Sequence, residues 1–129
     1  MSPTLVLDSE GLSQLVRDDR TMAARLAAAA KRDARVLVSS VTLVEARNPA
    51  TAQARVDWAI FRLKIEPASE SSARHASKLL AAAKLQGHKY AIVCATALAR
   101  TGPVSTVTSD LEDIRTLAAD LPRVSAIKV

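Results

Sequence analysis

The feature that most constrains this chain is the alternation of short apolar runs with longer helix-forming stretches. Thr4 to Leu7, Val36 to Val38, Leu63 to Glu66, Val104 to Thr108 and Val124 to Ile127 are rich in Leu, Val, Ile and Thr. Such runs suit strands buried on both faces. Pro3 and Asp8 bound the first, and Pro67 ends the third. Between them lie Ser9 to Arg17, Met22 to Lys31, a segment opened by Thr42, Thr51 to Arg62, a stretch from Ser69 to Gln86, Tyr90 to Arg100, and Leu111 to Ala119. Their Ala, Leu and Arg content favours helix. Strands joined by helices call for parallel neighbours. The expected fold is α/β: one domain over residues 1–129, a central parallel sheet flanked by helices. No linker, repeat or low-complexity tail interrupts it, and the length suits one domain.

Local signals add detail. Ser69 is a good N-cap and Gly87 a good residue to close the helix after it. Asn48-Pro49 breaks the helix before it, and Gly102-Pro103 makes a turn. Hydrophobic residues make up 49% of the chain, but Trp58, Phe61 and Tyr90 are its only aromatics, so the core is Leu, Val, Ile and Ala. Ala54, Trp58 and Phe61 are spaced for one helix face and are read as core. The lone Cys94 lies in an apolar run and cannot build a disulfide framework. It reads as a small core residue in a reducing, cytoplasmic protein. No secretory pattern opens the chain and no run is long enough to cross a bilayer.

The formal net charge is +5. A basic protein attracts polyanions, RNA first among them, although the same charges also serve as an ordinary solvated surface. Arg47, Arg55, Lys89 and Arg100 are each either contacts to an RNA backbone or solvated charges. The scarcity of aromatics argues against a base-stacking platform, leaving charge and shape as the means of recognition.

Ligands of open parallel sheets bind beyond the carboxyl ends of the strands. Asp8 follows the first strand, Glu45 lies one turn into the helix after the second, and Asp110 follows Val104 to Thr108, with Asp113 one turn further. Each has a structural alternative. Asp8 suits an N-cap or turn, Thr42-Leu-Val-Glu45 matches a capping box, and Asp110 suits the cap of the last helix. Taken together, carboxylates gathered on one edge repel, and a hard cation offsets that cost. Mg²⁺ prefers such oxygen ligands and supports phosphodiester hydrolysis.

The segments Leu5-Val-Leu-Asp8-Ser9, Ser40-Val-Thr42-Leu-Val-Glu45 and Val107-Thr108-Ser109-Asp110 resemble three motifs of PIN domains, in the family's order. The likeness spans nearly the whole chain and is closest to the toxin components of bacterial VapBC toxin–antitoxin pairs. It implies a Mg²⁺- or Mn²⁺-dependent endoribonuclease. Asp8, Glu45 and Asp110 would be the catalytic, metal-binding carboxylates, with Ser9 and Thr108 as supporting hydroxyls. Asp113 is either an accessory acid or a helix-start residue. The resemblance further implies an RNA substrate, a small antitoxin and a homodimer, and makes a dimer or antitoxin surface the alternative for Trp58 and Phe61. One departure matters. The family carries another aspartate before a run resembling Val93 to Leu98, whereas here Gly87-His88-Lys89-Tyr90-Ala91-Ile92 runs directly into Val93. A degenerate site, an internal deletion and a stretch omitted from the sequence are the alternatives. The first leaves a non-catalytic module that binds RNA or a protein.

His88 is either a phosphate contact or a polar helix-start residue, and His75 is a surface residue. No His/Cys spacing suggests zinc, and neither a Walker loop nor a nucleophile elbow is present.

Overall fold

The computed structural model describes residues 3–85, 96 and 102–129. Strands β1 (Thr4–Leu7), β2 (Arg35–Ser39), β3 (Lys64–Glu66), β4 (Val104–Thr108) and β5 (Val124–Lys128) form one sheet. Its order is β3-β2-β1-β4-β5 and every pairing is parallel. The chain builds outward from β1 to β3, then crosses back to start again on the other side of β1. The order therefore reverses between β1 and β4, which is where open sheets of this kind leave a crevice.

The described helices are α1 (Ser9–Val16), α2 (Arg20–Lys31), α3 (Ser40–Glu45), α4 (Gln53–Phe61), α5 (Glu70–Ala83) and α6 (Leu111–Leu117). Successive residues of a strand face opposite sides, so β1 serves two cores. Leu5 and Leu7 pack with Leu12 and Leu15 of α1, Met22 of α2 and Ala59 of α4. Val6 packs on the other side with Ala76 of α5 and Ile114 and Leu117 of α6. All four residues of β1 are buried, which explains why Leu5 to Leu7 form an unbroken apolar run rather than an alternating one. Burying each Leu, Ile or Val contributes about 1.5–3 kcal/mol.

Three readings of the sequence need correction. The Thr42–Glu45 capping box does not form. Ser39, the last residue of β2, caps α3 earlier, its Oγ accepting from the Val41 N–H at 3.3 Å. Thr42 is thereby drawn inside the helix and buried, and Glu45 becomes the last helical residue. A capping box forms instead at α5, where Ser69 Oγ accepts from Ser72 N–H (3.1 Å) and Ser72 Oγ from Ser69 N–H (2.9 Å). The second correction concerns Trp58 and Phe61, which are 41% and 91% exposed rather than core. α4 turns a different stripe inward: Ala59 is fully buried, and Val56 and the following Leu63 are partly buried against the same core. Third, α5 ends at Ala83 and not at Gln86, with Lys84 in the left-handed conformation as its C-cap (φ 57°).

The expected helix Tyr90 to Arg100 lies outside the described residues apart from Thr96, which is helical and buried. Gly87, His88, Lys89, Cys94 and the site of the missing aspartate also lie outside them. His75 is exposed, as read. Among the described residues no helix is long and apolar enough to cross a membrane.

Candidate active site

Parallel strands all end on one edge, so β1 and β4 deliver Asp8 and Asp110 to the same side of the switch point. Asp8 is fully buried and caps α1. Its Oδ1 accepts from the Gly11 N–H at 2.8 Å, and its Oδ2 accepts from the Ser109 N–H at 3.1 Å. Burying a carboxylate is costly unless its oxygens are hydrogen-bonded, and here two main-chain donors meet that need. One bond starts a helix; the other reaches across the switch point to the residue next to Asp110. Gly11 makes this closeness possible. A Cβ there would lie 3.3 Å from the Val107 carbonyl oxygen, 3.4 Å from Leu7 Cβ and 3.5 Å from Asp8 Oδ1.

Asp110 is held in a related way. Its N–H donates to the buried Thr108 hydroxyl at 3.0 Å, and its Oδ1 accepts from the Asp113 N–H at 3.1 Å, capping α6. Both aspartates are therefore the caps that the sequence allowed. Capping uses only part of the acceptor capacity of a carboxylate, about four lone-pair sites. Thr108 positions the Asp110 backbone, while Ser9 is buried at the first position of α1. Asp113 lies in the first turn of α6. Desolvation, the adjoining Asp110 carboxylate and Glu112 push its carboxyl above the ordinary range. Glu45 arrives from the β2 side as the half-buried last residue of α3.

These donors are oxygens only, which suits a hard divalent cation. Among the described residues, however, no three His, Cys, Asp or Glu side chains are gathered to hold one metal ion.

Sequence reasoning missed Gly11, the Ser109 N–H and Lys128, whose Nζ donates to the Ser109 carbonyl at 2.7 Å. Only the Asp8-x-x-Gly11 spacing hinted at the first. Arg55, read as an RNA contact or a solvated charge, is instead a clasp between helices. Its Nε donates to the Val16 carbonyl at 2.8 Å, and its guanidinium lies 3.9 Å from Asp18 and 4.8 Å from the Trp58 ring centroid. Arg62 lies over the same ring at 5.0 Å, and Arg47 is exposed. Beside α4, a cavity of about 320 Å³ opens between α1, α3 and α4, lined by Leu12, Val16, Leu43, Val56 and Ile60.

No family model matches the chain, and no curated protein matches it in sequence. Solved structures do match. A chain of VapBC2 from Rickettsia felis, a complex bound to a DNA fragment from their promoter, aligns with a TM-score of 0.74 and 17% identity, covering 98% of each chain. A chain of a toxin–antitoxin complex from Klebsiella pneumoniae aligns with a TM-score of 0.71 and 22% identity, covering 97% of this chain and 99% of that one. The likeness is one of fold, and it agrees with the α/β architecture expected from the sequence, one parallel sheet flanked by helices.

Proposed function

We propose that this chain is the toxin half of a toxin–antitoxin pair, acting as a metal-dependent endoribonuclease at the Asp8–Ser109–Asp110 edge. One observation carries the reading: a fully buried Asp8 is tied across the switch point to the residue beside Asp110. The fold shared with chains of toxin–antitoxin complexes supports it, as does the net charge of +5.

In this reading Asp8 and Asp110 would hold Mg²⁺ or Mn²⁺; Glu45, at the end of α3 on the β2 side, is not gathered with them into a three-acid group. The bound ion supplies water activation and charge compensation at an RNA phosphate. The chain's own residues provide the placement. Gly11 and Ser109 fix the plane of the Asp8 carboxylate, and Thr108 fixes the backbone of Asp110. The Asp113 N–H orients the Asp110 carboxylate. A small antitoxin and a second copy of the chain are the protein partners. The cavity beside α4, of mixed polar and apolar lining, and the exposed Val44, Trp58 and Phe61 support a protein-binding face. The cytoplasm is the proposed setting.

A second reading is a non-catalytic module that binds RNA or a protein through the same fold. The missing aspartate and the want of a three-acid group among the described residues favour it. The two separate when purified protein is incubated with a mixed RNA pool in Mn²⁺ and in chelator. Cleavage confined to Mn²⁺ supports the nuclease. RNA binding without cleavage, from folded protein, supports the module.

A further inference from the structure

We infer that Lys128 is a phosphate-binding residue of this edge, an assignment that rests on the RNA reading above. β5 runs parallel to β4, with Lys128 in register with Thr108, so the strand ends where the carboxylates stand. Three contacts fix the residue there. Its Nζ donates to the Ser109 carbonyl at 2.7 Å. Its own carbonyl accepts from Arg25 NH2 at 3.0 Å, and the following Val129 N–H donates to the Thr108 carbonyl at 2.9 Å. An exposed lysine is ordinarily a mobile point charge. This one is pinned to the residue whose N–H holds Asp8 and whose neighbour is Asp110.

The pinning leaves capacity to spare. An ammonium has three donors, and Ser109 uses one. Among the described residues no carboxylate lies within ion-pair distance of Nζ. A positive charge held on the Ser109 carbonyl, next in the chain to Asp110 and without an ion pair among the described residues, is suited to an anion entering the edge. The anion that matches is a backbone phosphate of single-stranded RNA: the lysine offsets repulsion from Asp8 and Asp110, and its remaining N–H groups meet non-bridging oxygens.

The test uses the full chain, a single-stranded RNA of mixed sequence and chelator, so that binding is read without cleavage. Affinity is measured across a salt series for wild type, Lys128→Gln, Lys128→Arg and Lys31→Gln. Lys31 ends α2 ahead of β2, at the opposite edge. Lys128→Gln is expected to bind several-fold more weakly and to lower the slope of log affinity against log salt by about 0.7, the value of one phosphate contact on a single strand. Lys128→Arg should restore the slope, and Lys31→Gln should leave it unchanged. A Lys128→Gln protein with native melting temperature and unaltered slope overturns the inference, as does equal loss in Lys31→Gln. Wild type that binds no RNA overturns both this inference and the reading beneath it. Lys128-dependent binding by a protein that fails to cleave in Mn²⁺ overturns the nuclease alone.

Discussion

Asp8 and Asp110 share a side chain and a capping duty, yet removing their charge has different structural consequences. Both Asp8 oxygens accept main-chain N–H groups, so Asp8→Asn turns one acceptor into a donor facing another donor. The expected cost is about 1–3 kcal/mol, read by denaturant unfolding. Asp110 uses only Oδ1 as a cap, and Asn caps as well as Asp. Asp110→Asn should stay within about 0.5 kcal/mol of wild type, which makes it the cleaner probe of chemistry. Asp113 carries the opposite kind of information. Its folded-state carboxyl is raised above the ordinary range, so its favourable contribution is complete only below the unfolded pKa and disappears as pH rises through the folded one. Asp113→Asn should therefore stabilise the protein near neutral pH and lose that advantage in acid. A gain that grows with acidity would contradict the assignment.

Among the elements, strands were the most legible part of the sequence, because short apolar runs between turn residues leave little choice when helices cover both faces. Helix faces and starts were less legible. Spacing placed Ala54, Trp58 and Phe61 on one stripe but could not say which stripe meets the sheet; the smaller Val56 and Ala59 took that role. The Thr42 capping pattern lost to Ser39, whose position depends on where β2 ends. Of the site, Asp8 and Asp110 could be placed from strand order, whereas their main-chain donors depend on how α1 lies against β4. That packing gives a prediction at this scale. Gly11→Ala gains about 1 kcal/mol of helix propensity but presses a methyl against the Val107 carbonyl, and overpacking costs about 1–3 kcal/mol. A net loss of stability is expected in thermal unfolding, and a higher melting temperature would show that α1 has room to move.

At the scale of the molecule, the sheet order matters more than any single motif. It brings together residues from the two ends of the chain, Asp8 with Ser109 and Asp110, and leaves α4 with an exposed aromatic face. If that face serves partners and not the fold, Phe61→Ser should alter stability by no more than about 0.5 kcal/mol, against about 3–5 kcal/mol for a truncated core Phe. A large loss would return Phe61 to the core. The β1/β4 edge is proposed to perform metal-dependent RNA cleavage. The most direct measurement compares wild type with Asp110→Asn at matched melting temperature, on end-labelled single-stranded RNA, with Mn²⁺ and with chelator. The expected result is wild-type cleavage that needs Mn²⁺ and falls at least about 100-fold in the variant. Equal cleavage by the two proteins, or cleavage that persists in chelator, would contradict it.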